Sequence, residues 1–161
     1  MSKEDLMKEL EKEYEKLKKE LDLSFNLAEL NEHFFIKDYI LEKGFVSDNL
    51  SNQIRGRIVD IMINLDNYLH SLIMPNPQNL FNINESKALD SEDKKKIMKM
   101  MSRVAYFVAK NGSIRLNNNK EVEIDFFNNS FKFWIDVYEP FFLKLMQKIE
   151  DHWKEVEESK E

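Results

Sequence analysis

Lys96, Lys99, Arg103 and Lys110 recur at spacings of three, four and seven residues. A helix through them lines all four up along one side. Like charges at i,i+4 destabilise a helix by about 0.2–0.5 kcal/mol per pair. A row of cations therefore asks for an anionic partner, nucleic acid being the obvious one, and the competing reading is a plain solvated face. Tyr106, beside the row, has the ring chemistry to stack on a base. Arg55 and Arg57 form a second basic site around Gly56, in the first turns of a predicted helix. Cations there oppose the helix dipole at about 0.3–1 kcal/mol, and Gly56 costs about 1 kcal/mol relative to Ala. A helix N-terminus already offers free N–H groups to an anion. Two Arg around a glycine would strengthen it for phosphate. The competing reading has both Arg lying along the surface or pairing with Glu of a preceding helix.

The remaining candidates are carboxylates and histidines. Glu29/His33 and Asp66/His70 are i,i+4 pairs. Turned inward, they would form part of a di-metal bundle. The Glu-x-x-His spacing of such sites is absent and no further carboxylate-bearing helix is evident, so surface pairing is the plainer reading. Glu29-x-x-Glu32 followed by Asp60 resembles the acidic motif of all-helical nucleoside-triphosphate pyrophosphatases. Ile63, however, stands where a second Asp belongs. No Arg-x4–6-His motif of helical ribonucleases occurs, and His152 reads as a structural residue within a helix seam. The absence of Cys excludes disulfides, thiolate metal sites and cysteine nucleophiles, and fits a reducing cytoplasm. The expectation is a protein without catalytic residues, bound metal or cofactor.

The elements that must position these residues follow from periodicity and punctuation. The 161 residues, 42% hydrophobic and 34% charged with three Gly and three Pro, suit one helical domain spanning 1–161. No signal-peptide core and no apolar run near 18 residues is present, so a membrane is not expected. The net charge is −6, yet Gln53 to Arg115 holds ten Lys/Arg against six Asp/Glu, and the acid sits at the two ends.

Residues 1–22 predict a charged helix with a seam at Met7, Leu10, Tyr14, Leu17 and Leu21, lying on the body or meeting a partner. Residues 26–43 predict a second helix ending at Gly44. A third runs from N-caps among Ser47–Ser51 to about Met74, its stripe being Ile54, Ile58, Ile61, Met62, Leu65, Leu69 and Leu72. Pro75 and Pro77 end it, and 75–90 read as an Asn-rich loop. Asp90 or Ser91 caps a fourth helix with Ile97, Met101, Val104 and Val108 buried opposite the cations, stopped by Asn111-Gly112. Alternation of Ile114 and Leu116, then Val122, Ile124 and Phe126, predicts a short β-hairpin over about 113–126. A final helix over 129–157 keeps one seam (Phe131, Ile135, Tyr138, Phe142, Leu145, Ile149, His152, Val156) and kinks at Pro140. The predicted fold class is mainly α, a four- to five-helix up-down bundle with that one hairpin.

Three stretches in order, YILEKGFVSDNLSNQIRGRI (39–58), SRVAYFVAKNG (102–112) and FKFWIDVYEPFF (131–142), resemble the small helical subunit of type III-A (Csm) CRISPR effector complexes. They cover about a third of the chain. The sequence departs from that family at Arg103, where a Lys is usual, at Pro140, and at Leu143-Lys144-Leu145. The resemblance implies a non-catalytic subunit that lies in several copies beside the guide–target duplex and other effector subunits, touching RNA through phosphates. On the matched stretches it places Gln53, Arg55, Arg103 and Lys110 at the RNA. Arg57, Lys96 and Lys99 join them on helix geometry. Two other classes compete. One is an interaction or self-association module working through the seams of the first and last helices. The other is a metal-dependent or nucleotide-hydrolysing enzyme built on Glu29, His33, Asp66 and His70.

Overall fold

In the computed structural model, residues 1–160 are described, and they fall into two compact units. Unit one comprises Met1–Ile61 with Phe107–Phe131, and unit two Met62–Tyr106 with the chain from Lys132 onward. The protein is mainly α: no strand occurs among the described residues. No helix is long and apolar enough to cross a membrane.

Unit one begins with α1 (Lys3–Glu20), started by a capping box in which Ser2 Oγ accepts from the Asp5 N–H at 3.1 Å and Asp5 accepts from the Ser2 N–H at 3.2 Å. Its Leu6, Leu10, Tyr14 and Leu17 are buried and it packs on α3. The Tyr14 hydroxyl donates to the Phe25 carbonyl at 2.9 Å. The charged first helix is thus built into the body by its own seam.

The predicted second helix is two, α2 (Leu27–Phe34) and α3 (Ile36–Lys43), broken at Phe35 with φ +52°. A non-glycine residue in that left-handed region costs about 1–2 kcal/mol. The break is stabilised locally, because Asn31 Oδ1 accepts from the Lys37 N–H at 2.8 Å. Gly44 closes α3 at φ +79°, as the sequence predicts.

α4 (Leu50–Ile73) opens under Asn49, whose Oδ1 accepts from the Asn52 N–H at 3.1 Å. Ile54, Ile58, Met62, Leu69 and Leu72 of the predicted stripe are buried, while Ile61 and Leu65 are half-buried.

The β-hairpin does not form. α6 (Ser91–Asn117) runs straight through Asn111-Gly112, and α7 (Lys120–Phe133) follows after two residues. Asn118 adopts φ +47°, and Asn119 Oδ1 accepts from the Glu121 and Val122 N–H groups at 3.0 and 3.3 Å. An αL residue followed by an N-cap makes a tight helix–helix turn from the same Asn-rich tripeptide that suits a hairpin. The alternation was too short to decide. Ile114 is buried on a helical stripe, while Leu116 points to solvent. The two helices form an αα-hairpin. Phe107 meets Phe126 edge-on at 6.0 Å and Lys110 pairs with Asp125.

In unit two the Asn-rich segment contains α5 (Leu80–Lys87), packed on α8 (Glu139–Glu158). Glu85 accepts from the Tyr68 hydroxyl at 2.8 Å and from the Trp153 indole N–H at 3.0 Å, joining α4, α5 and α8. Asp90 starts α6 by accepting from the Asp93 N–H at 2.8 Å. Lys148 of α8 donates to Asp93 at 2.7 Å.

Pro140 does not sit inside one continuous α-helix; it falls in the first turn of α8. A π-helical turn, Trp134–Tyr138, joins α7 to α8, with the Glu139 N–H reaching the Trp134 carbonyl. The wider i→i+5 turn removes the need for the i→i−4 bond that Pro140 cannot donate. It also inserts one residue. Upstream, Ser130 and Trp134 are buried one position earlier than the predicted Phe131 and Ile135, while Tyr138, Leu145 and Ile149 keep the predicted seam.

Gly56 and Gly112 lie inside helices in ordinary right-handed conformation, and an added Cβ at either meets nothing within 4 Å. Gly56→Ala and Gly112→Ala should each raise stability by about 0.4–1 kcal/mol, read as a higher urea midpoint at unchanged slope. A lowered midpoint would show that these glycines hold conformations an alanine cannot.

Candidate nucleic-acid interface

The buried stripe of α6 is Ile97, Met100, Val104, Phe107, Asn111 and Ile114, stepping by three and four. Met101 and Val108, predicted to be buried, are half-buried. Each cation of the row precedes a stripe residue by one position. One residue is about 100° of helix, so the row lies on a flank beside the core, and not opposite it as expected. That position has different consequences along the helix. In unit two, Lys96 and Lys99 are exposed. Arg103, also exposed, places its guanidinium 5.2 Å from the Phe133 ring centroid, within cation–π range. In unit one, Lys110 is drawn into its ion pair with Asp125. Tyr106 is half exposed.

The residues expected around Gly56 take structural positions. Gln53 is buried and clamps the preceding loop, accepting from the Ser47 N–H at 2.9 Å and donating to the Phe45 carbonyl at 3.2 Å. Arg55 is 3% exposed; its guanidinium donates to Asn111 Oδ1 and, at 3.3 Å, to Glu123. Burial pulls the Arg55 pKa down, Glu123 opposes that, and the nearby Arg115 adds to it. Arg55 therefore reaches no ligand from the surface, and the pairing partner lies on α7, not on the first or second helix. Arg57 Nε donates to the Phe34 carbonyl at 3.0 Å, capping the C-terminus of α2, and lies 5.3 Å from the Tyr39 ring centroid.

Lys43, Phe45 and Arg115 belong to no motif of the sequence. With Tyr39, Asn52 and Gly56 they wall a cleft of about 470 Å³ within unit one. Spacing carries no trace of it, because its walls come from the end of α3, the start of α4 and the end of α6.

Of the carboxylate–histidine candidates, Glu29 and His33 lie in unit one and Asp66 and His70 in unit two. Glu29 accepts from the Asn26 N–H at 2.7 Å as part of the α2 capping box. His33 stands edge-on to Phe131, its ring 5.8 Å away. Asp66 accepts from the Tyr138 hydroxyl at 3.4 Å, while His70 is exposed. Asp60, of the pyrophosphatase-like pattern, faces solvent. Among the described residues no three His, Asp or Glu side chains are grouped to hold a metal ion. His152 Nε2 is buried without a hydrogen-bond partner among the described residues. No family model, no curated protein and no solved structure matches the chain.

Proposed function

We propose that this chain binds RNA or single-stranded nucleic acid without catalysing a reaction on it, by laying Lys96, Lys99 and Arg103 of α6 along successive phosphates. The observation that carries this reading is the exposure of all three cations on one flank of one helix, in a chain whose net charge is −6. Seven residues of helix set their spread at about 10 Å. Contacts of this kind are electrostatic and nearly indifferent to base identity. The resemblance to the type III-A small subunit supplies the larger setting: a guide–target duplex and neighbouring effector subunits. Of the residues on its matched stretches, Arg103 alone among Gln53, Arg55, Arg103 and Lys110 has an exposed side chain, which centres the proposal on α6. The seam of α1, which a self-association reading would use, is closed within unit one.

Lys99→Glu with Arg103→Glu should abolish binding of a single-stranded oligoribonucleotide while the far-ultraviolet circular dichroism stays unchanged. Three phosphate contacts predict a log-affinity slope of about −2 against log salt for a single strand. Fluorescence anisotropy at several salt concentrations measures both. Unchanged affinity of the double variant at low salt would remove α6 from the interface.

A further inference from the structure

The cleft of unit one combines cations, an exposed ring and an open floor. No acidic side chain lines it among the described residues. Arg115 is exposed and forms no ion pair among the described residues. Lys43 holds its ammonium 5.5 Å from the Tyr39 ring centroid, a ring it shares with Arg57. Two cations, Lys43 and Arg115, thus line the cleft with no acidic side chain beside them in its wall, and such a wall attracts an anion.

The aromatic component is separate. Phe45 is 55% exposed and lines the same cleft. Its loop is fixed, because the Gln53 side chain bonds both the Phe45 carbonyl and the Ser47 N–H. An exposed ring carried on a fixed loop stacks a base without first losing loop entropy. Asn52 brings an amide donor and acceptor to the wall. At Gly56 an added side chain would project into unoccupied space. A volume of about 470 Å³ lies within the range of small-molecule sites.

We infer that this cleft binds a nucleotide, with its phosphate on Arg115 and Lys43 and its base against Phe45. The inference stands apart from the α6 row and uses none of its residues.

The test titrates the full chain with uridine and adenosine monophosphates, with inorganic phosphate, and with a short oligo(U), following amide shifts by NMR. The monophosphates should shift Phe45, Gly56 and Arg115. Arg115→Glu and Phe45→Ala should each weaken binding about tenfold, the size of one lost charge contact or base stack. Gly56→Leu should fill the cleft and remove binding while the fold stays intact, because leucine is a good helix former. Lys99→Glu with Arg103→Glu should leave monophosphate affinity unchanged, so failure of the α6 interface and failure of the cleft read out separately. A nucleotide within a strand and a free mononucleotide offer the same chemistry. Displacement of oligo(U) by monophosphate from the cleft assigns the strand, and monophosphate binding undisturbed by oligo(U) assigns the free nucleotide. Absence of shifts at millimolar nucleotide overturns the inference. So does phosphate binding as well as the nucleotides with Phe45→Ala silent, which would reduce the cleft to a plain anion site.

Discussion

Glu123→Ala should lower the unfolding free energy by about 3–5 kcal/mol, the range for removing one partner of a buried ion pair. Glu123 is the carboxylate that compensates Arg55, a guanidinium 3% exposed and 3.3 Å from it. Without it, Arg55 would face only the Asn111 amide oxygen and the like charge of Arg115. A buried charge without a counter-charge is the costly configuration, more so than an apolar pair of similar volume. Arg55→Met with Glu123→Leu should therefore recover most of the loss. Urea unfolding of the wild type, both single variants and the double variant closes the cycle. A Glu123→Ala penalty below about 1 kcal/mol would mean that water reaches Arg55 and that the pair does not hold α4 to α7.

Asp66→Asn should act in the other direction, raising stability at pH 7 by about 1–3 kcal/mol. Burial pushes the Asp66 carboxyl up to about 6 from 3.8, and the Tyr138 hydroxyl, 3.4 Å away, opposes that only in part. The sign follows from which state binds the proton. Between about pH 4 and 6 the folded carboxyl keeps a proton that the unfolded chain releases. Wild-type stability from this group is therefore complete below about pH 4, falls as pH rises, and reaches its full deficit above about 6. Asparagine accepts the same hydroxyl bond without a charge to desolvate, so the variant should lack that decline. Thermal unfolding at pH 4.5 and 7.5 compares the two proteins, with the gap wider at pH 7.5. An equal gap at both would place the effect in packing and not in ionisation. Tyr138 stacks between Trp134 and Phe142, with ring centroids 4.6 and 6.2 Å away, so the carboxylate sits against an aromatic ladder that offers it little solvation.

What the sequence determined alone is what short-range forces decide. Asn49 over α4, Asp90 over α6 and Gly44 after α3 act through backbone groups three or four residues away, and the seams of α1 and α4 repeat within a few turns. The spacing of Lys96, Lys99 and Arg103 is likewise a property of one helix. Tertiary structure decided which of those charges meet solvent. Arg55 lies 56 and 68 positions from Asn111 and Glu123, and Lys110 lies 15 from Asp125, distances at which no local pattern carries a signal. The same holds for 113–126, where a handful of alternating residues suits strand and helix equally. The partners of Ile114 and Phe126 in the core of unit one chose helix. The π-turn before Pro140 is a compromise between a missing N–H and a seam that had to stay buried. The cleft of Lys43, Phe45 and Arg115 exists only because three helix ends converge, so its chemistry belongs to the fold and to no one segment of the chain.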